Sequence, residues 1–180
     1  LDRFSTDLDF DLLENKDIDD DILQIAKKYG KVKKGNKLIL SYGENDINIK
    51  IDINRKLWKH NQYKTVDFYG TQIKVQDKAT IFANKLVALM ERNTNRDIYD
   101  VYFMFTHMFA IHEALIMERT GKSSKELFKH IAAKLRGLPK NYKILDGLGE
   151  LLNEKQKAFV KEHLVKEIIG FLDLRTDFIR

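Results

Sequence analysis

Read for the alternation of apolar and polar positions, the chain falls into two halves. Up to residue 77, one short helical stretch apart, apolar residues recur at every second position, the spacing of one β-strand face; from Lys78 onward they recur at helical spacing. In the opening stretch R-F-S-T-D-L-D-F-D, Arg3 to Asp11, Phe4, Thr6, Leu8 and Phe10 fall on one side of a strand, and Arg3, Ser5, Asp7, Asp9 and Asp11 on the other. Asp17 to Tyr29 has acidic residues first and lysines last, the order a helix dipole favours, with Gly30 placed to stop the helix. K-L-I-L-S-Y-G-E-N-D-I-N-I-K-I-D-I-N reads as a hairpin turning around Gly43 to Asp46. Ile47, Ile49, Ile51 and Ile53 share one face, while Asn48, Lys50, Asp52 and Asn54 share the other.

A further pair, K-T-V-D-F-Y-G and T-Q-I-K-V-Q-D, turns at Gly70. Helices follow in A-T-I-F-A-N-K-L-V-A-L-M-E-R-N, R-D-I-Y-D-V-Y-F-M-F-T-H-M-F, H-E-A-L-I-M-E-R-T-G, K-E-L-F-K-H-I-A-A-K-L-R-G and one long stretch E-K-Q-K-A-F-V-K-E-H-L-V-K-E-I-I-G-F-L. Pro139 marks a loop. The pattern predicts an α+β chain, one compact unit with a strand-rich core at 1–77 and a helical region at 78–180 packed on it. No Gly/Ser/Pro-rich linker separates the two, so the junction near Asp77 is a lobe boundary.

Composition narrows this reading by exclusion. Hydrophobic residues at 43% and charged residues at 33% are ordinary for a globular chain. No apolar run reaches the roughly 18 to 20 residues of a membrane span. The absence of cysteine excludes disulfides and thiolate metal sites and suits the reducing cytoplasm. The net charge of +5 is unevenly placed: residues 1–120 hold 19 basic and 19 acidic residues, and 121–167 hold 11 against 6. That surplus fits either a solvated helix face or a surface for phosphate backbones.

Two stretches carry candidate chemistry. Carboxylates two apart on one strand face repel unless they are solvated, paired with cations or bound to metal. Asp7, Asp9 and, from the adjacent strand, Asp52 could form a hard-oxygen cage for magnesium, with the third carboxylate also placed to accept a proton from an attacking hydroxyl. Asp11 lies at the strand's end and is left out. The competing reading is an exposed face neutralised by Arg3 and nearby lysines. In K-L-V-A-L-M-E-R-N-T-N-R-D-I-Y-D, Lys85 and Arg92 are nearly two helical turns apart and share a face from which both can reach phosphates. Asn93 to Asn95 break that helix, and Thr94 with Asp97 fits a capping pattern for the next. Here the competing reading has Asp97 only capping, Arg96 pairing with it, and Lys85 and Arg92 as solvated helix ends. The histidines match no zinc pattern, and no Walker A or G-x-S-x-G sequence occurs. Tyr99, Tyr102, Phe103, Phe105 and Phe109 are at helical spacing and read as core.

Together, R-F-S-T-D-L-D-F and A-N-K-L-V-A-L-M-E-R-N-T-N-R-D-I-Y-D, at Arg3 to Phe10 and Ala83 to Asp100, resemble the AbiEii/AbiGii family of nucleotidyltransferase-like toxins. The resemblance implies a polymerase-β-like nucleotidyltransferase fold with a helical C-terminal region, and a place in type IV toxin–antitoxin or abortive-infection systems. It implies transfer of a nucleotide from an NTP to an acceptor, with tRNA ends among the RNA acceptors and protein as a further class, under the restraint of an antitoxin. Asp7 and Asp9 match the metal-binding D-x-D, and Asp52 is the candidate third carboxylate, holding magnesium or manganese. Ser5, Lys85, Arg92, Arg96 and Asp97 are the implied nucleotide-binding and site-organising residues. The family's Gly-Gly-Thr/Ser element upstream of the D-x-D has no counterpart, because the chain starts six residues before Asp7. A fragment of a longer chain is the expectation. Two other readings stay open: a non-catalytic module of the same fold that binds RNA or antitoxin, and a metal-dependent nuclease.

Overall fold

A computed structural model describes residues 2, 3, 5, 7–14, 16–35, 37–43, 48–92 and 94–178. The readings placed on Phe4, Thr6, Ile47, Asn93 and the turn at 44–46 lie outside these. The chain divides into two compact units, Phe4–Leu57 on one hand and Leu1–Arg3 with Trp58–Arg180 on the other. The division falls at Leu57/Trp58, so the second predicted hairpin is grouped with the helices. The change of period at Asp77 coincides with the start of the first helix after it.

In the smaller unit, β1 (Asp7–Asp11), α1 (Asp19–Lys27), β2 (Lys31–Lys34), β3 (Leu38–Ser41) and β4 (Ile49–Asn54) build a mixed sheet in the order β1-β4-β3-β2. β1 runs parallel to β4, and β3 is antiparallel to both of its neighbours. Ala26 of α1 is buried with Leu38, Leu40 and Ile51, the last of these on the face that alternation assigned to the isoleucines. Gly30 ends α1 at a close approach: a Cβ there would stand 2.3 Å from the Ser41 carbonyl oxygen. The strand β2 has no counterpart in the sequence reading. It is an edge strand whose lysines are exposed, so burial imposes no alternation on it. The apolar face of β1 is only partly covered, with Leu8 46% and Phe10 48% exposed.

The larger unit holds a two-stranded hairpin, β5 (Tyr63–Phe68) and β6 (Thr71–Gln76), and the helices α2 (Lys78–Glu91), α3 (Asn95–Thr106), α4 (Glu113–Thr120), α5 (Ser124–Arg136), α6 (Glu154–Glu162) and α7 (Leu164–Phe178). Their apolar stripes form one core in which Phe82, Leu86, Phe128, Ile131 and Ile168 are completely buried. Each such side chain contributes roughly 1.5–3 kcal/mol through removal from water. Side-chain caps fix the helix starts. Asp77 accepts from Thr80 N–H at 2.6 Å, and Ser123/Glu126 and Asn153/Gln156 form reciprocal capping boxes.

The predicted long C-terminal helix is two. His163 leaves helical geometry (φ −125°, ψ −33°) between α6 and α7. Val160, Leu164, Ile168 and Leu172 nevertheless stay buried at four-residue spacing. The hydrophobic pattern runs through the break, which is why periodicity alone did not reveal it. Among the described residues no helix is long and apolar enough to cross a membrane.

Candidate functional site

The carboxylates come together through strand register. In the parallel β1–β4 pair, Asp9 lies opposite Asp52, with Asp7 opposite Lys50 and Asp11 opposite Asn54. Side chains in register on neighbouring strands share a face. Asp7, Asp9 and Asp52 therefore project from the same side of the sheet, away from α1. Asp11 is engaged separately, accepting from Asn54 Nδ2 at 3.0 Å.

A cation already stands among these groups. Lys37, just before β3, donates through Nζ to Asp52 Oδ2. Its pKa is raised, first by that hydrogen bond and then, against a burial penalty, by the charges of Asp52, Asp9 and Asp7. Sequence reasoning allowed for nearby lysines but did not single out Lys37, whose position depends on the return of the chain from β2 into β3. The donor set suits a hard divalent cation, being three carboxylates that act on one positive charge with no sulfur or imidazole among them. Among the described residues, no three acidic or histidine side chains are gathered tightly enough to enclose a metal ion as they stand. Ser5, two residues before Asp7, is exposed.

The second predicted stretch folds into a buried ion network in the larger unit. Asp97 and Asp100 lie one turn apart on α3 and are almost wholly inaccessible. Lys85 of α2 reaches both, at 3.0 Å to Asp97 Oδ1 and 2.8 Å to Asp100 Oδ2. Arg92 closes on Asp97 with Nε at 2.8 Å and Nη2 at 3.3 Å. From the other end of the sequence, Arg3 grips Asp100 with Nε at 2.7 Å and Nη2 at 2.8 Å. Burial alone would raise the Asp97 pKa; hydrogen bonds from Arg92 and Thr94 and the Lys85 charge outweigh it and hold the carboxyl below the usual range. For Lys85, burial lowers the pKa, and the charges and hydrogen bonds of Asp100 and Asp97 carry it above the usual value.

Three details of the sequence reading change here. Thr94 is the N-cap residue of α3, but its side chain caps no backbone N–H; its hydroxyl donates instead to Asp97. The arginine paired with Asp97 is Arg92, whereas Arg96 donates through Nε to the Gly147 carbonyl at 2.9 Å. Arg3, expected among the neutralising charges of the strand face, donates to Asp100. The structure thus brings together Lys85, Arg92 and Asp97 and leaves Arg96 on the 142–147 loop. Asn95 fastens the same loop, donating to the Lys143 and Asp146 carbonyls at 2.9 and 3.0 Å. Arg3 and Asp100 entered the reading only in passing. Their partnership spans 97 positions, beyond the reach of any local pattern.

Within the network the carboxylates are buried, but the Arg92 side chain is 61% exposed. Two aspartates therefore orient Lys85 and Arg92 from beneath while Arg92 keeps a surface toward solvent. The basic surplus at 121–167 is partly committed elsewhere. Lys134 closes the end of α2, donating to the carbonyls of Leu89 and Met90 at 2.8 Å and of Arg92 at 3.2 Å. Arg136 pairs with Asp173 and Lys157 with Glu154. A cavity of about 460 Å³ with Leu135, Ile144 and Val165 in its wall and Arg136, Lys161 and Lys166 among its charged residues includes none of the candidate site residues.

Compared with models of known families, residues 1–177 match the one described as nucleotidyl transferase AbiEii toxin, type IV toxin–antitoxin system. Searches among curated proteins and among solved structures give no match.

Proposed function

Because the chain belongs to the AbiEii nucleotidyl transferase toxin family of type IV toxin–antitoxin systems, we propose that it transfers a nucleotide from an NTP to an RNA acceptor, with magnesium or manganese as cofactor. Membership itself implies a nucleotide substrate and an antitoxin partner. The observation that supports the finer reading is the β1–β4 register, which sets Asp9 beside Asp52 and Asp7 on the same face, with Lys37 already drawn to the three. A strand pair serving only the fold has no use for three like charges on one side.

In this reading Asp7, Asp9 and Asp52 hold the metal, and the polymerase-β-like arrangement is the fold that presents them. When bound, the ion supplies charge neutralisation for the triphosphate and for an in-line displacement. Asp52 receives the proton of the attacking acceptor hydroxyl. In the larger unit Lys85 and Arg92, held by Asp97 and Asp100, have the chemistry to bind phosphate oxygens, Lys85 as a point charge and Arg92 through its fork. The Ser5 hydroxyl is a further phosphate donor. Arg96, by its bond to Gly147, positions the 142–147 loop rather than phosphate. Exposed lysines of the 121–167 region attract the acceptor backbone.

The test is incorporation of each labelled NTP into total tRNA by this chain and by a version extended at its N-terminus, with magnesium and with Asp9→Asn as control. Magnesium-dependent label transfer that disappears in Asp9→Asn supports the reading. RNA or antitoxin binding that persists in Asp9→Asn, with no transfer by either wild-type version, assigns the protein to the binding-module class instead.

A further inference from the structure

The β5–β6 hairpin turns through two residues of positive φ, Tyr69 at 51° and Gly70 at 78°. Such turns favour Asn-Gly or Asp-Gly, because a bulky side chain in the left-handed region is strained. The turn is held without the tyrosine ring. Asp67 accepts from Gly70 N–H at 3.2 Å and from Gln72 Nε2 at 3.3 Å, tying both sides of the loop. Tyr69 is 93% exposed, so burial does not explain it either. The other described non-glycine residue of positive φ, Met108, has a local reason, because its N–H closes the end of α3 on the Phe105 carbonyl at 3.0 Å.

The tyrosine ring does have a companion. Phe68 is 57% exposed and meets it edge to face, with ring centroids 4.8 Å apart at 81°. Two aromatic rings are thus presented to solvent on a turn already fixed by side-chain hydrogen bonds, and little freedom remains to be lost on binding. Exposed Lys64 and Lys74 lie behind them on opposite faces of the ladder, Lys64 opposite Val75 and Lys74 opposite Thr65. Flat rings flanked by cations suit a ligand with flat faces and a polyanionic backbone. We propose that the Phe68–Tyr69 tip is a stacking finger for an unpaired base of RNA, with Lys64 and Lys74 meeting the flanking phosphates. The inference rests on the nucleotidyltransferase reading only in identifying that RNA as the acceptor.

The experiment compares wild type, Tyr69→Phe and Tyr69→Asn for binding to a fluorescently labelled, unstructured RNA oligonucleotide and to a duplex of the same composition. Thermal midpoints and the salt dependence of binding are recorded alongside. Asparagine suits the backbone at position 69, so a purely structural residue would be improved by it. The expected result is single-strand affinity about five- to 150-fold weaker for Tyr69→Asn, the loss of one stacked base. Its melting temperature should be equal or higher, its salt slope unchanged, and Tyr69→Phe should bind like wild type. Equal RNA affinity of Tyr69→Asn and wild type overturns the finger, and so does wild-type binding to duplex as tight as to single strand. Label transfer, measured separately, keeps the two ideas apart. Weakened single-strand binding by Tyr69→Asn in a protein that transfers no label sustains the finger and removes the enzyme reading, whereas undiminished RNA binding by Tyr69→Asn in an active protein does the reverse.

Discussion

The two clusters of charge in this chain are built in opposite ways. On the β1–β4 face the charge of a half-exposed ammonium acts on three carboxylates. In the α2–α3 network two buried carboxylates share three cations, each held by at least one hydrogen bond of ordinary length. Charges buried as thoroughly as Asp97 and Asp100 are stable only when fully paired, and the pairing then fixes the elements that carry them. Charges left at a surface contribute little to the fold and remain able to exchange partners. The first cluster is suited to binding, and the second to holding Lys85 and Arg92 in place.

The largest expected effect sharpens this contrast on the activity side. Asp9→Asn should abolish label transfer while leaving the unfolding free energy, read from denaturant titration, within about 0.5 kcal/mol of wild type, because it removes one of several like charges from a surface. A large loss of stability in Asp9→Asn would mean that the strand face is structural after all. Next in size is Asp100→Ala, which removes the shared acceptor of Arg3 and Lys85 in a site where the Asp100 side chain is 0% exposed. Breaking a buried pair from one side destabilises by about 3–5 kcal/mol, readable in urea unfolding. Asp100→Asn keeps the shape and recovers part of that loss. A change below about 1 kcal/mol for Asp100→Ala would place this cluster with ordinary surface pairs.

How far the sequence revealed these clusters follows from the range of the interactions involved. Period-two alternation was enough to put Asp7, Asp9 and Asp52 on polar faces, because a strand's side-chain directions are local properties of the backbone. The parallel register that sets Asp9 beside Asp52 is not local, and neither is the return of Lys37 to the same face. Helical spacing placed Lys85 and Arg92 on one side of α2, but the choice of Arg92 over Arg96 as the partner of Asp97 depends on how the chain leaves α2 at Arg92 and enters α3 at Asn95. The basic strand β2 and the interruption at His163 were illegible for a common reason. In both, the apolar pattern is indifferent to the structural event.

A smaller effect tests the buried network through pH. The Asp97 carboxyl has its pKa lowered in the folded chain. Its contribution is therefore complete above the unfolded value of about 3.9 and is lost as pH falls through the lower folded value. Asp97→Asn should be less stable than wild type at neutral pH, and the gap should close as the pH falls below about 4. Denaturant midpoints followed through the acid range check this. A gap that stays constant into strong acid would show that the ionised form of Asp97 is not what the network uses.

The smallest expected effect belongs to Lys37. Its pair with Asp52 is half-exposed, so Lys37→Gln should change stability by no more than about 1 kcal/mol, well below the effect of the same substitution at Lys85. What it should change is the response to a divalent cation. With the ammonium removed, Asp7, Asp9 and Asp52 lose the positive charge that acts on all three, and an ion from solution then relieves more of their mutual repulsion. Magnesium should therefore raise the melting temperature of Lys37→Gln by more than it raises that of wild type, and Asp9→Asn in the same background should remove the difference. The comparison depends on binding to the native state alone, so the size of the shift at fixed magnesium reports affinity directly. Equal shifts in wild type and Lys37→Gln would mean that ammonium and metal do not compete for one position, and the carboxylate face would then need a different account of why it keeps a lysine at its centre.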